Sequence, residues 1–377
     1  MIDALSDDAL PSGRGKSSHK PRARVPRSRY DRGALSRLVP LQALRAVAAL
    51  MVAGQHALHD AGLLAERLGL AFVPASRTGQ AGVDIFFVIS GFVMVHASRG
   101  LFGEPGAARI FLARRIARVV PLYWLVTTLY LAVAIVAPAL LNGAVLDPLF
   151  VAASYAFWPM AGPDGFAQPL YSLGWTLNYE MAFYALFALA IPFARDRAVA
   201  GLIAALLALV MLGRLLPLRL PLSFWTDPIV LEFAAGMALG LARAHGLRLG
   251  SGVRAALAGL AVGALVLDVA FVPEVPRIVA YGIPAALLVA AAGLGAAGGR
   301  PGRLALLGEH LGDASYALYL VHPFAIRPLG LAAGAAGVVG PWSFLVLALA
   351  AALVASLVVH RWVERPLTGA ARRALRV

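Results

Sequence analysis

About ten apolar runs of roughly 18 to 22 residues, separated by short arginine-bearing loops, fill the chain and leave it few folds to choose from. They place helices near 40–60, 80–98, 117–138, 173–194, 198–217, 226–245, 253–272, 277–297, 311–330 and 342–361. A further apolar piece near 146–160, with Pro148 at its start and Pro159 near its end, is too short to cross a bilayer and reads as re-entrant or interfacial. Of all residues 60% are hydrophobic and only 14% charged, whereas a soluble domain is nearer half apolar. The expected fold is all-α and polytopic in a membrane.

The net charge of +14 raises nucleic acid as a partner, but most of the arginine lies in short loops, where it orients helices instead. With the first residues placed inside, the inner loops hold Arg99, Arg109, Arg114, Arg115 and Arg118, then Arg195 and Arg197, then Arg243, Arg248 and Arg254, then Arg300 and Arg303, and the end holds Arg361, Arg365, Arg372, Arg373 and Arg376. The outer loops hold only Arg67, Arg77, Arg219 and Arg277. This asymmetry predicts a multi-pass protein of the cytoplasmic (inner) membrane with both termini cytoplasmic. Residues 1–39 are rich in Pro, Ser and Arg and read as a disordered basic cytoplasmic tail; 40–367 form the membrane domain and 368–377 a short basic cytoplasmic C-terminus. No cleavable signal is visible, so the first helix is expected to be a retained anchor. The absence of cysteine excludes disulfides, thiolate metal sites and a cysteinyl acyl intermediate.

The first run, Leu41 to Asp60, carries Arg45 and His56, and an ionisable group in hydrocarbon costs on the order of 3 kcal/mol or more. Their eleven-residue separation is about 20° beyond three helical turns and rises roughly 16 Å, so both share one face at two depths. That face is expected to line a polar cavity. Asp84 on the second run falls at the outer depth of His56, which suggests that it fixes the tautomer of the imidazole; a structural intramembrane hydrogen bond is the alternative.

On the fourth run Asn178 and Glu180 also sit in the outer half, and Glu180 either meets an acceptor hydroxyl, assists proton transfer or pairs with an internal arginine. Glu232 on the sixth run reads as structural. Tyr316, Tyr319 and His322 follow at three-residue steps on one face, with Pro323 after the histidine. At the inner end of the third run, RRIARVVPLYW (114–124) sets Arg115 and Arg118 on a common face able to grip phosphates, with Tyr123 and Trp124 available to stack; arginines there also serve as topology signals.

Six motifs in order, RAVAALMVAGQH (45–56), GVDIFFVISGFVM (82–94), RRIARVVPLYW (114–124), SLGWTLNYEMAFY (172–184), SYALYLVHPF (315–324) and VERPL (363–367), resemble the acyltransferase 3 family of integral membrane acyltransferases. The run around Gly174 and Asn178 is most similar to its exopolysaccharide-modifying branch. The resemblance implies transfer of an acyl group, commonly acetyl from cytoplasmic acetyl-CoA, to a hydroxyl of an envelope or secreted carbohydrate, without a metal. It implies a catalytic role for His56, acidic positions at Asp84 and Glu180, and CoA binding by Arg45, Arg115 and Arg118 beside Tyr123 and Trp124. Asn178, Tyr319 and His322 are then candidates for substrate contact. His56 is expected either to act as general base or to carry the acyl group itself. With no soluble hydrolase-like extension after the last run, the membrane domain is expected to reach its acceptor directly. A transporter or flippase of glycans or lipid-linked sugars is the rival reading, although no inverted repeat is evident.

Overall fold

The computed structural model describes residues 38–72, 77–138, 141, 146–162, 165–271, 275–296, 302–337 and 340–377; the basic tail at 1–37 lies outside them. Helices account for the regular structure, and no strand occurs among the described residues. In order they are α1 Val39–Leu68, α2 Ala81–Ala97, α3 Ala107–Val136, α4 Pro148–Tyr155, α5 Trp175–Ala190, α6 Arg195–Leu215, α7 Leu231–Ala244, α8 Ser251–Phe271, α9 Ile283–Gly293, α10 Arg303–Asp313, α11 Ser315–Ala336, α12 Pro341–Val359 and α13 Arg365–Ala374. Each expected apolar run falls on one of these helices, while α10 and α13 are additional.

Among the described residues, four segments are long and apolar enough to cross a membrane, namely Thr78–Ala97, Ala107–Val136, Arg195–Leu215 and Pro341–Ala374. Length and composition alone thus support four of the ten expected spans; α5 and α9, at 16 and 11 residues, fall short by length. Large apolar side chains point outward on α6 and α12, with Leu215 73% and Val346 68% exposed, which suits hydrocarbon and not water. The protein is a polytopic α-helical membrane protein.

The hub is α2, whose side chains are buried along nearly its whole length. It packs most closely on α7, and the two backbones meet through glycine on both sides. A Cβ on Gly91 would stand 2.1 Å from the Phe233 carbonyl oxygen, and one on Gly236 would stand 2.0 Å from that of Val88. Small residues permit this approach where lipid supplies no hydrophobic drive between helices. On its other side α2 meets α1, which also contacts α10, α11 and α12. There Ala49, Ala53, Ala57 and Ala61 of α1 form a stripe against Phe344, Ala348 and Ala352 of α12.

The piece near 146–160 yields only α4, eight residues or about 12 Å. Asp147 caps it by accepting the Phe150 N–H, and Pro148 occupies its first turn. It is held to α3 by the Tyr123 hydroxyl, which donates to the Ser154 carbonyl at 2.9 Å. The C-terminal stretch is helical as well: α12 runs through a π turn at His360–Glu364 into α13, which packs against α3. The start of α1, the charged first half of α3, α10 and α13 gather at one end of the bundle, called here the Arg45 end.

Candidate functional site

A cavity of about 760 Å³ opens at the Arg45 end and runs between α1, α2, α3, α5, α10, α11 and α13. Arg45, Arg115, Arg118, Glu180 and Tyr319 all line it, so five expected site residues from four helices meet in one space. Arg45 bonds Gln42 at 3.3 Å and lies within electrostatic range of Arg118, Glu180, Asp313 and Glu364. Gln42 in turn donates to Asp313 at 3.0 Å, which ties α1 to α10 at the mouth.

The two arginines on α3 are not equivalent. Arg118 is ion-paired to Glu364, a fully buried carboxylate at the α12–α13 junction whose second oxygen is 2.8 Å from His360 Nδ1. Arg115 has no such brace among the described residues: its guanidinium lies 5.9 Å from the Phe111 ring centroid, and its Nε is buried without a hydrogen-bond partner there. Halfway along the cavity, Glu180 accepts the hydroxyls of Ser90 and Tyr184, both at Oε1. Its Oε2 has no partner among the described residues and is available to a ligand. The cavity therefore combines an arginine-lined mouth with a carboxylate further in.

At its far end the lining reaches Phe86, Phe87, Thr176 and Tyr319. The Phe86 and Tyr319 rings meet edge to face at 6.1 Å, and the Tyr319 hydroxyl bonds Thr176 Oγ1 at 2.9 Å and donates to the Leu173 carbonyl at 3.0 Å. One turn beyond Tyr319 on α11 lies His322, fully buried, with its ring centroid 5.0 Å from that of His56. His322 Nδ1 is 3.0 Å from the Leu318 carbonyl, an acceptor that requires the proton on Nδ1, so Nε2 presents a lone pair; that atom is buried without a partner. His56 is exposed and does not line the cavity. The expected single tunnel from Arg45 to His56 is thus interrupted at Phe86 and Tyr319.

Asp84 does not pair with His56. Both its oxygens go to Arg277, at 3.1 Å from Nε and 2.6 Å from Nη2, with Trp175 and Tyr281 flanking the guanidinium. The reason is azimuth. Gly82 is the residue of α2 pressed against the Ala48 carbonyl of α1, and Asp84, two residues on, points about 200° away around the axis. Glu232 is buried beside this pair, in electrostatic range of both Asp84 and Arg277. The carboxylate that accompanies His56 is Asp60, one turn along α1, itself in range of Arg327.

Residues 40–361 match the family model described as an acyltransferase domain. The chain belongs to the acyltransferase 3 family. It is 37% identical over 305 residues to the exopolysaccharide production protein ExoZ of Rhizobium meliloti (strain 1021), covering 78% of this chain and 92% of that protein. It is 32% identical over 364 residues to acyltransferase MdmB of Streptomyces mycarofaciens, covering 88% and 91% respectively. No solved structure matches it. The protein is therefore an enzyme that transfers acyl groups.

Within this acyltransferase, four expected contacts lie off the cavity, His322 as described above and three more. Tyr123 is fully buried and Trp124 bonds the Tyr155 carbonyl at 2.9 Å, so both hold α4. They lie about 140° and 120° around α3 from Arg118, which commits them to a different neighbour. Asn178 is buried about 200° from the cavity-facing Glu180 on α5. Conversely, Glu364 and Arg277 carry parts of the architecture that the sequence reading left without a role. The VERPL motif contained the first signal, a carboxylate four residues after His360.

Proposed function

We propose that this acyltransferase moves an acyl group, acetyl in the simplest case, from acyl-CoA to a hydroxyl of an extracytoplasmic polysaccharide, with His56 as general base. The Arg45 end then faces the cytoplasm, as the arginine distribution along the sequence favours. The observation that carries this reading is the cavity: an arginine-walled mouth suited to phosphates leads inward to Tyr319, one helical turn short of the His322–His56 contact. The exopolysaccharide role named for ExoZ supports a carbohydrate acceptor.

Phosphates dock at the mouth, and the pantetheine arm extends past Arg45 and Glu180 to the Phe86–Tyr319 barrier. Rotation of the partly exposed Phe86 ring lets the thioester pass. The acceptor meets His56 from the open side. His56 accepts the hydroxyl proton, the oxygen attacks the thioester carbonyl, the C–S bond breaks, and the proton passes on to the departing thiolate to give free CoA. His322, with its Nδ1 proton held by the Leu318 carbonyl and its ring centroid 5.0 Å from that of His56, is the positioning residue in the place first given to Asp84.

The test uses purified full-length protein, radiolabelled acetyl-CoA and the polysaccharide of the host. Label should move into polysaccharide as CoA is released, and His56→Ala with retained folding should lose about 10²- to 10⁴-fold in turnover. Normal transfer by that variant removes His56 from the chemistry; a wild-type protein that moves sugars without releasing CoA would instead be a transporter.

A further inference from the structure

Helix α13 is placed where a charged tail is not expected to matter. Arg365, Thr368, Gly369 and Arg372 all line the cavity mouth, and their spacing of i, i+3, i+4 and i+7 makes them one continuous stripe of the helix. Arginines that only set topology need not share a face, still less the face that looks into a cavity. The position of α13 is also fixed, because Glu364 at its root is locked by Arg118 and His360. Across the mouth, α10 presents Glu309 and Asp313, which repel an anion. The mouth is therefore divided by charge, with a cationic wall made by α3 and α13. Arg118 on that wall is already neutralised by Glu364, whereas Arg115 has no ion pair among the described residues and its buried Nε has no hydrogen-bond partner there.

We propose that α13 forms a second phosphate subsite, in which Arg365 and Arg372 bind the terminal 3′-phosphate of the CoA nucleotide while Arg115 binds the diphosphate. This rests on the acyl-CoA reading above and adds to it a division of labour. A phosphate monoester carries about two negative charges, and two arginines on adjacent turns give it charge-assisted bonds that a diphosphate held elsewhere does not use. Gly369 between them keeps the helix surface low, and the side chain within 4 Å of where its Cβ would be is that of Arg373 on the same helix, whose Nη1 at 3.6 Å adds a further cation beside the stripe. The site thereby distinguishes CoA from shorter pantetheine thioesters.

The experiment measures binding and transfer with acetyl-CoA, acetyl-3′-dephospho-CoA and acetyl-pantetheine, using the full-length protein in lipid nanodiscs. Wild type should bind acetyl-CoA at least about tenfold more tightly than the dephospho form, a comparison that needs no substitution. The double variant R365Q/R372Q should raise KM for acetyl-CoA by about the same factor and leave kcat and both smaller donors unchanged. R365K/R372K should recover much of the affinity. Arg115→Gln should weaken acetyl-CoA and its dephospho form alike. Equal wild-type affinity for the two nucleotides, or an R365Q/R372Q loss shared by acetyl-pantetheine, overturns the subsite. If wild type releases no CoA from any of the three donors, the underlying donor reading fails, and the proposal with it.

Discussion

The Asp84–Arg277 pair offers the sharpest separation of structural from catalytic roles. Asp84 is fully buried and the Arg277 side chain is 34% exposed. Removing one partner of a buried pair costs about 3–5 kcal/mol, and the partial exposure of Arg277 puts this site near the lower end, about 3 kcal/mol or roughly a hundredfold in the folding equilibrium. The two single variants should differ. Asp84→Asn leaves Arg277 beside Glu232, a second carboxyl able to take it over. Arg277→Gln leaves two buried carboxyls side by side with no cation. R277Q should therefore be the less stable variant, and D84N/R277Q should recover stability relative to R277Q because no charge from the pair stays unpaired. Scanning fluorimetry in detergent, paired with an acyl-transfer assay on the folded fraction, reads both quantities. If D84N keeps wild-type stability yet loses a hundredfold or more in turnover, while R277Q transfers normally, Asp84 serves His56 and the structural assignment is wrong.

Three further outcomes follow from the cavity. Arg115→Glu should raise KM for acyl-CoA with little effect on acceptor KM, whereas Glu364→Gln should act through Arg118 and α13, lowering stability as well as donor affinity; identical profiles for the two would contradict the asymmetry between the arginines. Phe86→Ala opens the barrier to water, so acceptor-independent hydrolysis of acyl-CoA should rise about tenfold, and unchanged hydrolysis would place the barrier elsewhere. His322→Ala should lower kcat by at least about tenfold and alter its pH profile without changing either KM; a loss confined to KM would make His322 a substrate contact instead.

Much of the fold was legible because apolar length is a local property. Depth along a helix is less decisive: Glu180, expected in the outer half, lines the cavity that opens at the Arg45 end and lies within electrostatic range of Arg45. What sequence spacing does not encode is azimuth between helices. His56 and Asp84 were matched by depth, but Gly82 decides which side of α2 meets α1, and that choice turns Asp84 toward a partner 193 residues away. The same limit sent Tyr123 and Trp124 to α4. Helix α13 escaped for a different cause, because an arginine-rich helix gives no apolar signal, although its stripe of Arg365, Thr368, Gly369 and Arg372 was present to be read at helical spacing.

The scarcity of arginine in the expected outer loops was itself a clue. Lipid topology favours arginine inside, so each of Arg67, Arg77, Arg219 and Arg277 opposes that preference and calls for a compensating contact. Arg277 has one, at Asp84, and the contact joins the segment leading into α9 to the hub helix α2. A buried carboxylate on the hub is then best understood as an anchor for the helices around it. On the proposed reading the chemistry falls to groups that stay accessible: Glu180 inside the cavity, Arg115 at its mouth, and His56 on the open side of the barrier. Division of the ionisable groups into those spent on one another and those left open to ligands is the basis on which the proposed reading parts scaffold from site, where depth alone would have joined Asp84 to His56.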